Sequence, residues 1–456
     1  MLKKILIYGL GTFFSKVLVF FMIPIYTRFF SPGDYGYYDV IISNMQMVIS
    51  ISFIEIWSGI IRFMFEYKDR YKPVKIFLVL CPVFLILYII SIFILSKTIE
   101  IKYLWGTVFF GISYLLFNVG SSICRGLEKN TDYVISGMIC SVVSCTLGCV
   151  AAVRYNYNIS YLITSQALGY LISSIYIEFR TKAYINALKS DARIHEFKEM
   201  IYFCFPLMLN AFGYTFLETY NKNVLLRLFG EEAAGFYALA LKFSAIASIL
   251  ISIYSLAWQE EAFIKSKDKN RSQIYTYHIN QYMKFVGFAI PVYIAISFYA
   301  APYIGGKNFL NTQKFIPLAI ISVFISSVSG VLSTIIAVQK NTIHLLLSTM
   351  AGAAINICLM TIFPYYFFEQ ASSFSLCIAY LFIVFWRYCV SKKGCSISIN
   401  LKICVGIVLE LLITSLICLS QSKFMIMLIL IIEIDIWIYI NRIAIKNLME
   451  RVSWRK

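Results

Sequence analysis

The chain has 456 residues, of which 60% are hydrophobic and 14% charged, and its formal net charge is +17. A soluble protein would be about one quarter charged. Here apolar runs long enough to cross a bilayer recur from end to end, which excludes a separate soluble domain and describes an all-α polytopic membrane protein.

Fourteen helical spans are predicted. Six lie at residues 5–30, 37–65, 74–95, 103–124, 133–153 and 161–179. Six more follow at 200–229, 235–263, 282–303, 315–338, 343–365 and 371–390. Two extra spans, 403–419 and 424–440, precede a basic tail. The expected organisation is an N-terminal six-helix lobe (1–199), a C-terminal six-helix lobe (200–391) and a hairpin with its tail (392–456). Met1-Leu2-Lys3-Lys4 opens a run without a small-residue cleavage site, so the first span is read as uncleaved.

Basic residues set the expected orientation. With the N-terminus inside, 28 of the 40 Lys and Arg fall on inner segments and span ends, Arg387 among them, and eight fall outside. That asymmetry places both termini in the cytoplasm and directs the positive charge at anionic lipid headgroups rather than nucleic acid. The inner linker 180–199 carries Ile185, Leu188, Ala192, Ile194, Phe197 and Ile201 among charges. This suits either a helix along the membrane surface or a solvated linker. Most of the twelve cysteines sit inside apolar runs, and the three histidines have no second ligand nearby. No cofactor or metal is expected.

Residues 27–40 read TRFFSPGDYGYYDV, and residues 226–239 read LRLFGEEAAGFYAL. Arg28, Phe30, Gly36 and Tyr38 recur 199 residues on as Arg227, Phe229, Gly235 and Tyr237. Moving the basic segment 66–75 by the same step lands on another basic segment, 265–274. Six spans per half make the repeat parallel, one of the known transporter arrangements. Gly36 and Gly235 are expected to relieve crowding where the chain re-enters the membrane. Arg28 and Arg227 are expected to act as interface anchors first and outer-gate residues second.

A charge at mid-membrane costs at least ~2.5–3.5 kcal/mol, so each one requires an explanation. Span 1 carries Lys16, and span 2 carries Asp39, Gln46, Glu55 and Arg62. Span 7 carries Asn210, Glu218 and Lys222 at steps of four or eight, and span 8 carries Lys242. These four helices are expected to line a shared, cationic-leaning cavity. Lys16, Arg62, Lys222 and Lys242 would meet an anionic substrate, with Gln46 and Asn210 beside them. Glu55, Glu218 and Asp39 are candidate carriers of a coupling ion, H⁺ or Na⁺. The bland readings are that Lys16 snorkels, that Asp39 and Arg62 sit near interfaces, and that Glu218 and Lys222, at i and i+4, neutralise each other. Pro24, Pro82, Pro206 and Pro291 are candidate kink positions.

The opening GLGTFFSKVLVFFMIPIYTRFFSPGDYGYYDVIIS, with IIRFMFEY at 60–67 and CRGLEKNTDY at 124–133, resembles Wzx-type polysaccharide flippases. These belong to the multidrug/oligosaccharidyl-lipid/polysaccharide exporter superfamily. The resemblance implies two six-helix bundles around a central cavity, often followed by two extra helices. It also implies export of undecaprenyl-pyrophosphate-linked oligosaccharide repeat units for O-antigen or capsule synthesis in a bacterial inner membrane. Expected partners are that lipid-linked substrate, membrane lipids and polysaccharide polymerase or chain-length machinery. A peptidoglycan-precursor flippase or a multidrug/cation antiporter would use the same fold. A membrane glycosyltransferase or O-antigen polymerase would need larger outer loops or acidic catalytic motifs.

Overall fold

A computed structural model describes residues 18, 20–154, 159–265, 268–339, 341, 343–420 and 422–453. Lys16 lies outside these residues. Among them every regular element is helical. Ten helices among the described residues are long and apolar enough to cross a membrane, or eleven if one bent pair counts as a single span. The sequence-based total of fourteen differs for identifiable reasons. Span 1 falls largely outside the described residues. Spans 7 and 8 run together as Ile194–Ile264, interrupted only at Gly230 (φ 86°, ψ −179°). Helix Ile159–Thr181 corresponds to span 6 but is not among the ten.

The chain forms two compact units, Met1–Gly235 and Phe236–Lys456. The first takes in the helix from Ile194 to the Gly230 turn, of which 200–229 was read from sequence as the opening span of the second lobe. Its core gathers Phe53, Tyr88, Phe77, Phe110, Ile60 and Met64, all essentially inaccessible. Two helices, Asn130–Arg154 and Ile159–Thr181, approach closely where Gly169 faces the Cys140 carbonyl and Ser144. Small residues at that contact serve membrane helices, which associate by packing rather than by hydrophobic burial.

The bent pair is Pro32–Ser52 followed by Ile56–Glu66, with a 45° break. The break contains no proline. Ile54 and Glu55 both take φ of 50°, a left-handed conformation that is strained for side chains with a Cβ and most of all for β-branched Ile54. Phe53, fully buried 5.2 Å from the Tyr88 ring, anchors one side of the break. Ile56, also fully buried, anchors the other.

In the 180–199 linker the preceding helix ends at Thr181, a short helix covers Ala183–Leu188, and Ile194 opens the next helix. Ala183 and Ala187 are buried while Ile185, Leu188 and Ile194 are exposed. Ion pairs fix the linker to the first unit: Lys72–Glu196 at 2.7 Å and Arg180–Asp132 at 3.0 Å. Tyr176 also donates to Asp132, at 3.0 Å.

The second unit packs helices Ile316–Val338, Ile343–Ile362 and Ala371–Cys395 around Arg387. The sequence counted Arg387 with the basic residues of inner segments and span ends, and here it is 1% exposed. Its Nε donates to Ser348 Oγ, its Nη1 to Ser329 O and Oγ, and its Nη2 to Leu345 O and Thr349 Oγ1. Five N–H groups thus meet five oxygens on two neighbouring helices. The hairpin Leu401–Leu419 and Lys423–Ser453 packs against Ala289–Gly305. Just before that helix, a π-turn at Met283–Gly287 accepts hydrogen bonds from Trp437 at the Phe285 carbonyl and from Asn441 at the Lys284 carbonyl.

Candidate functional site: a buried polar seam beside the repeated corner

The helix Pro32–Ser52 starts where its sequence says it should. Ser31 caps it, its Oγ accepting from the Asp34 amide at 3.1 Å, and Pro32 occupies the first turn, where no amide donor is missed. From that start, Asp39, Ser43 and Asn44 fall on one side. Thr219, Lys222 and Asn223, at i, i+3 and i+4 of the Ile194–Ile264 helix, meet them.

Four contacts join the two faces. Lys222 Nζ donates to Asp39 Oδ2 at 2.5 Å and to Ser43 Oγ at 2.7 Å. Asn44 and Asn223 exchange amide hydrogen bonds at 2.7 and 2.9 Å. Thr219 donates to the Ser43 carbonyl at 3.4 Å. Ser43 in turn donates to the Asp39 carbonyl at 2.7 Å. The side chains of Asp39 and Lys222 are only 6% and 10% exposed, so the pair is screened from water. Desolvation offsets most of its Coulomb attraction, and its value lies in the discrete arrangement it selects rather than in net stability.

One turn nearer the corner, the two echoed glycines touch. A Cβ on Gly36 would collide with the Glu231 carbonyl and the Gly235 backbone, and a Cβ on Gly235 with the Pro32 carbonyl. Both partners are backbone, so no rotamer change can make room. Glu231 also pairs with Lys102 at 3.3 Å, and Arg227 donates to the Thr98 carbonyl at 3.1 Å. Lys102 stands 4.6 Å over the Tyr37 ring. Burial alone would pull the Lys102 ammonium down, but Glu231 outweighs it and holds it above the ordinary lysine range. Both members of that pair are more than 40% exposed, so it contributes little stability.

Gly235→Ala is expected to destabilise the folded protein more than Gly230→Ala. Gly230 has open space around its Cβ position and pays only for its positive φ, of order 1–3 kcal/mol. Gly235→Ala must also separate two backbones. Thermal unfolding of the purified variants checks the order, and equal losses would remove the close-approach account.

The residues proposed from sequence separate into groups. Asp39 and Lys222 come together, as do Gly36 and Gly235. The expectation that Lys222 is neutralised by Glu218 gives way to Asp39, which binds its ammonium from the facing helix. Asp39 is buried, at 4% exposure. Arg62 is exposed, 3.5 Å from Glu66 and with its guanidinium 4.4 Å from the Phe203 ring centroid. Gln46, Glu218 and Arg28 are exposed, Lys242 is half-buried in the second unit, and Glu55 is half-buried at the helix break. Lys16 and the side chain of Asn210 lie outside the described residues. Asn44, Asn223 and Glu231 were missed. Each adjoins or lies within a stretch already singled out, and the available signal was their presence on the polar side of an apolar helix.

A family profile described as polysaccharide biosynthesis protein matches residues 1–258. No curated protein matches the chain. Among solved structures, a lipid II flippase, MurJ, in an inward closed conformation aligns over 97% of this chain and 100% of its own, with a TM-score of 0.71 and 17% identity. An inward-facing multidrug resistance MATE family transporter of the MOP superfamily aligns over 84% and 94%, with a TM-score of 0.61 and 12% identity. A MOP superfamily transporter from Pyrococcus furiosus aligns over 86% and 96%, with a TM-score of 0.58 and 13% identity. The chain is thus a multi-pass membrane protein that belongs to the polysaccharide biosynthesis protein family and shares the fold of the solved lipid II flippase and MATE structures.

Proposed function

We propose that the protein is a flippase for undecaprenyl-pyrophosphate-linked oligosaccharide repeat units, moving them to the outer leaflet of a bacterial inner membrane for O-antigen or capsule assembly. The observation that carries this reading is the buried Asp39–Lys222 pair in a chain matched to a polysaccharide biosynthesis family. Each sugar hydroxyl stripped of hydrogen bonds costs roughly 4–8 kcal/mol in an apolar medium, and a pyrophosphate far more. A polar path beside the lipid removes most of that barrier.

In this proposal Lys222 is a masked cation. Asp39 neutralises it at rest, and a substrate phosphate competes for its ammonium. Lys16, Arg62 and Lys242 supply further positive charge, and Gln46 and Asn210 offer amides to sugar hydroxyls. Asp39, Glu55 and Glu218 are the proposed carriers of a coupling H⁺ or Na⁺ during alternating access. The Gly36–Gly235 corner, with Arg28 and Arg227, is the proposed outer gate, and both termini face the cytoplasm. Polymerase and chain-length proteins receive the product.

The test is surface polysaccharide in cells lacking the endogenous flippase, with Lys16, Arg62, Lys222 and Lys242 changed singly to Ala at matched expression. At least one variant is expected to lose most of the polymer. Full activity in all four overturns the cationic-path reading. A second reading, a flippase for the peptidoglycan precursor, is favoured by the likeness to the lipid II flippase over 97% of the chain. Rescue of cells depleted of their lipid II flippase would select it.

A further inference from the structure

Two carboxyl groups lie in the hairpin at the C-terminal end of the second unit. Glu410 sits midway along the membrane-crossing stretch Leu401–Cys418, and Glu433 midway along Phe424–Arg442. Glu410 lies one helical turn before Thr414, on the same side of its helix, and Thr414 reaches across the hairpin to Glu433. Glu433 is 2% exposed. Thr414, fully buried, donates to Glu433 Oε1 at 2.7 Å. The other carboxyl oxygen of each residue, Oε2, is buried and has no hydrogen-bonding partner.

Among the described residues, the surroundings supply no neutralising charge. The helices packed against the hairpin are Ala289–Gly305 and Ile316–Val338, with the Met283–Gly287 turn. The two helices contain no Asp, Glu, His, Lys or Arg, and their titratable groups are Tyr293, Tyr299 and Tyr303. Tyr293 is committed to the Phe243 carbonyl. The turn brings Lys284, whose carbonyl is held at Asn441, two helical turns beyond Glu433. On the hairpin itself Lys402 and Arg442 lie two or more turns away, towards the helix ends, and Asp435 is exposed.

Two adjacent carboxylates in such a place repel each other and forfeit hydration, so both cannot be charged. One proton placed between them gives each orphaned Oε2 its missing partner. We propose that Glu410 and Glu433 form an exchangeable proton site at the centre of the C-terminal hairpin. Glu410 carries the proton and donates it to Glu433, whose carboxylate is held from its other side by Thr414. Release of that proton leaves two facing anions and pushes the hairpin apart, so proton exchange and helix packing are linked there. This site does not depend on what the lobes carry.

Infrared difference spectroscopy of the full-length protein in lipid nanodiscs tests it, with carbodiimide labelling and mass spectrometry to assign the reactive carboxyl. The wild type is expected to show a protonated-carboxyl band at neutral pH that disappears on alkalinisation and returns on acidification. Glu410→Gln and Glu433→Gln should each weaken the band, and the double variant should abolish it. Labelling of the wild type should map to Glu410 or Glu433, which keeps the test valid if a variant fails to fold. Three outcomes overturn the proposal: no band in the wild type, a band that survives in a folded double variant, or a band that no pH change removes. Loss of the band on adding sodium at constant pH also overturns it, because the occupant would then be a metal cation.

Discussion

Lys222→Ala is expected to destabilise the first unit by about 3–5 kcal/mol, because it strands the Asp39 carboxylate in a water-poor seam. The double variant Asp39→Ala, Lys222→Ala should recover most of that loss. Removing both charges eliminates the desolvation penalty together with the attraction, and the Asn44–Asn223 exchange still joins the helices. Thermal unfolding of purified protein measures both. A double variant as unstable as Lys222→Ala would show that the single loss comes from packing, not from an unpaired charge. Transport should respond differently from stability. If Lys222 is the masked cation, the double variant folds but remains defective, since no ammonium is left for the substrate phosphate. A double variant that both folds and transports would make the pair a structural clasp.

Arg387→Leu is expected to be the more damaging change in the second unit. The guanidinium directs its donors at Ser329, Leu345, Ser348 and Thr349, so one side chain ties three helices together. Hydrogen bonds to charged groups contribute roughly 1.5–3 kcal/mol each, and the whole set disappears together. A loss of at least about 3 kcal/mol, seen as low yield of monodisperse protein, is the expected result. Arg387→Lys should be intermediate, because an ammonium keeps the charge but offers three donors instead of five. A leucine variant with wild-type stability would mean that the serine and threonine hydroxyls satisfy themselves within their own helices.

How much of this was legible in advance varies by residue. Hydropathy placed the spans, because a bilayer imposes length and apolarity on every segment that crosses it. The echo between residues 27–40 and 226–239 was legible too, as was the assignment of Gly36 and Gly235 to close packing. That the two glycines meet each other was not legible, since a repeat in sequence does not say which copies touch. Lys222 shows the same limit. Helical spacing offered Glu218 as its partner, and spacing along one helix cannot see Asp39, 183 residues away. Proline positions did not reveal the bend at Ile54–Glu55, because that break comes from backbone strain held by buried neighbours on both sides.

The sequence by itself determined that this is an all-helical, many-span membrane protein of a recognisable family. Composition and periodicity are local properties, and the membrane converts them directly into structure. Only the tertiary structure decided which charges are paired, which are buried, and which polar atoms lack a partner. Arg387, counted from sequence among the basic residues of inner segments and span ends, became the centre of a bundle. Glu410 and Glu433, unremarked in the sequence, became the clearest electrostatic demand in the hairpin. In a low-dielectric interior, what a charge costs depends on the few atoms within hydrogen-bonding reach, and those atoms come from other helices.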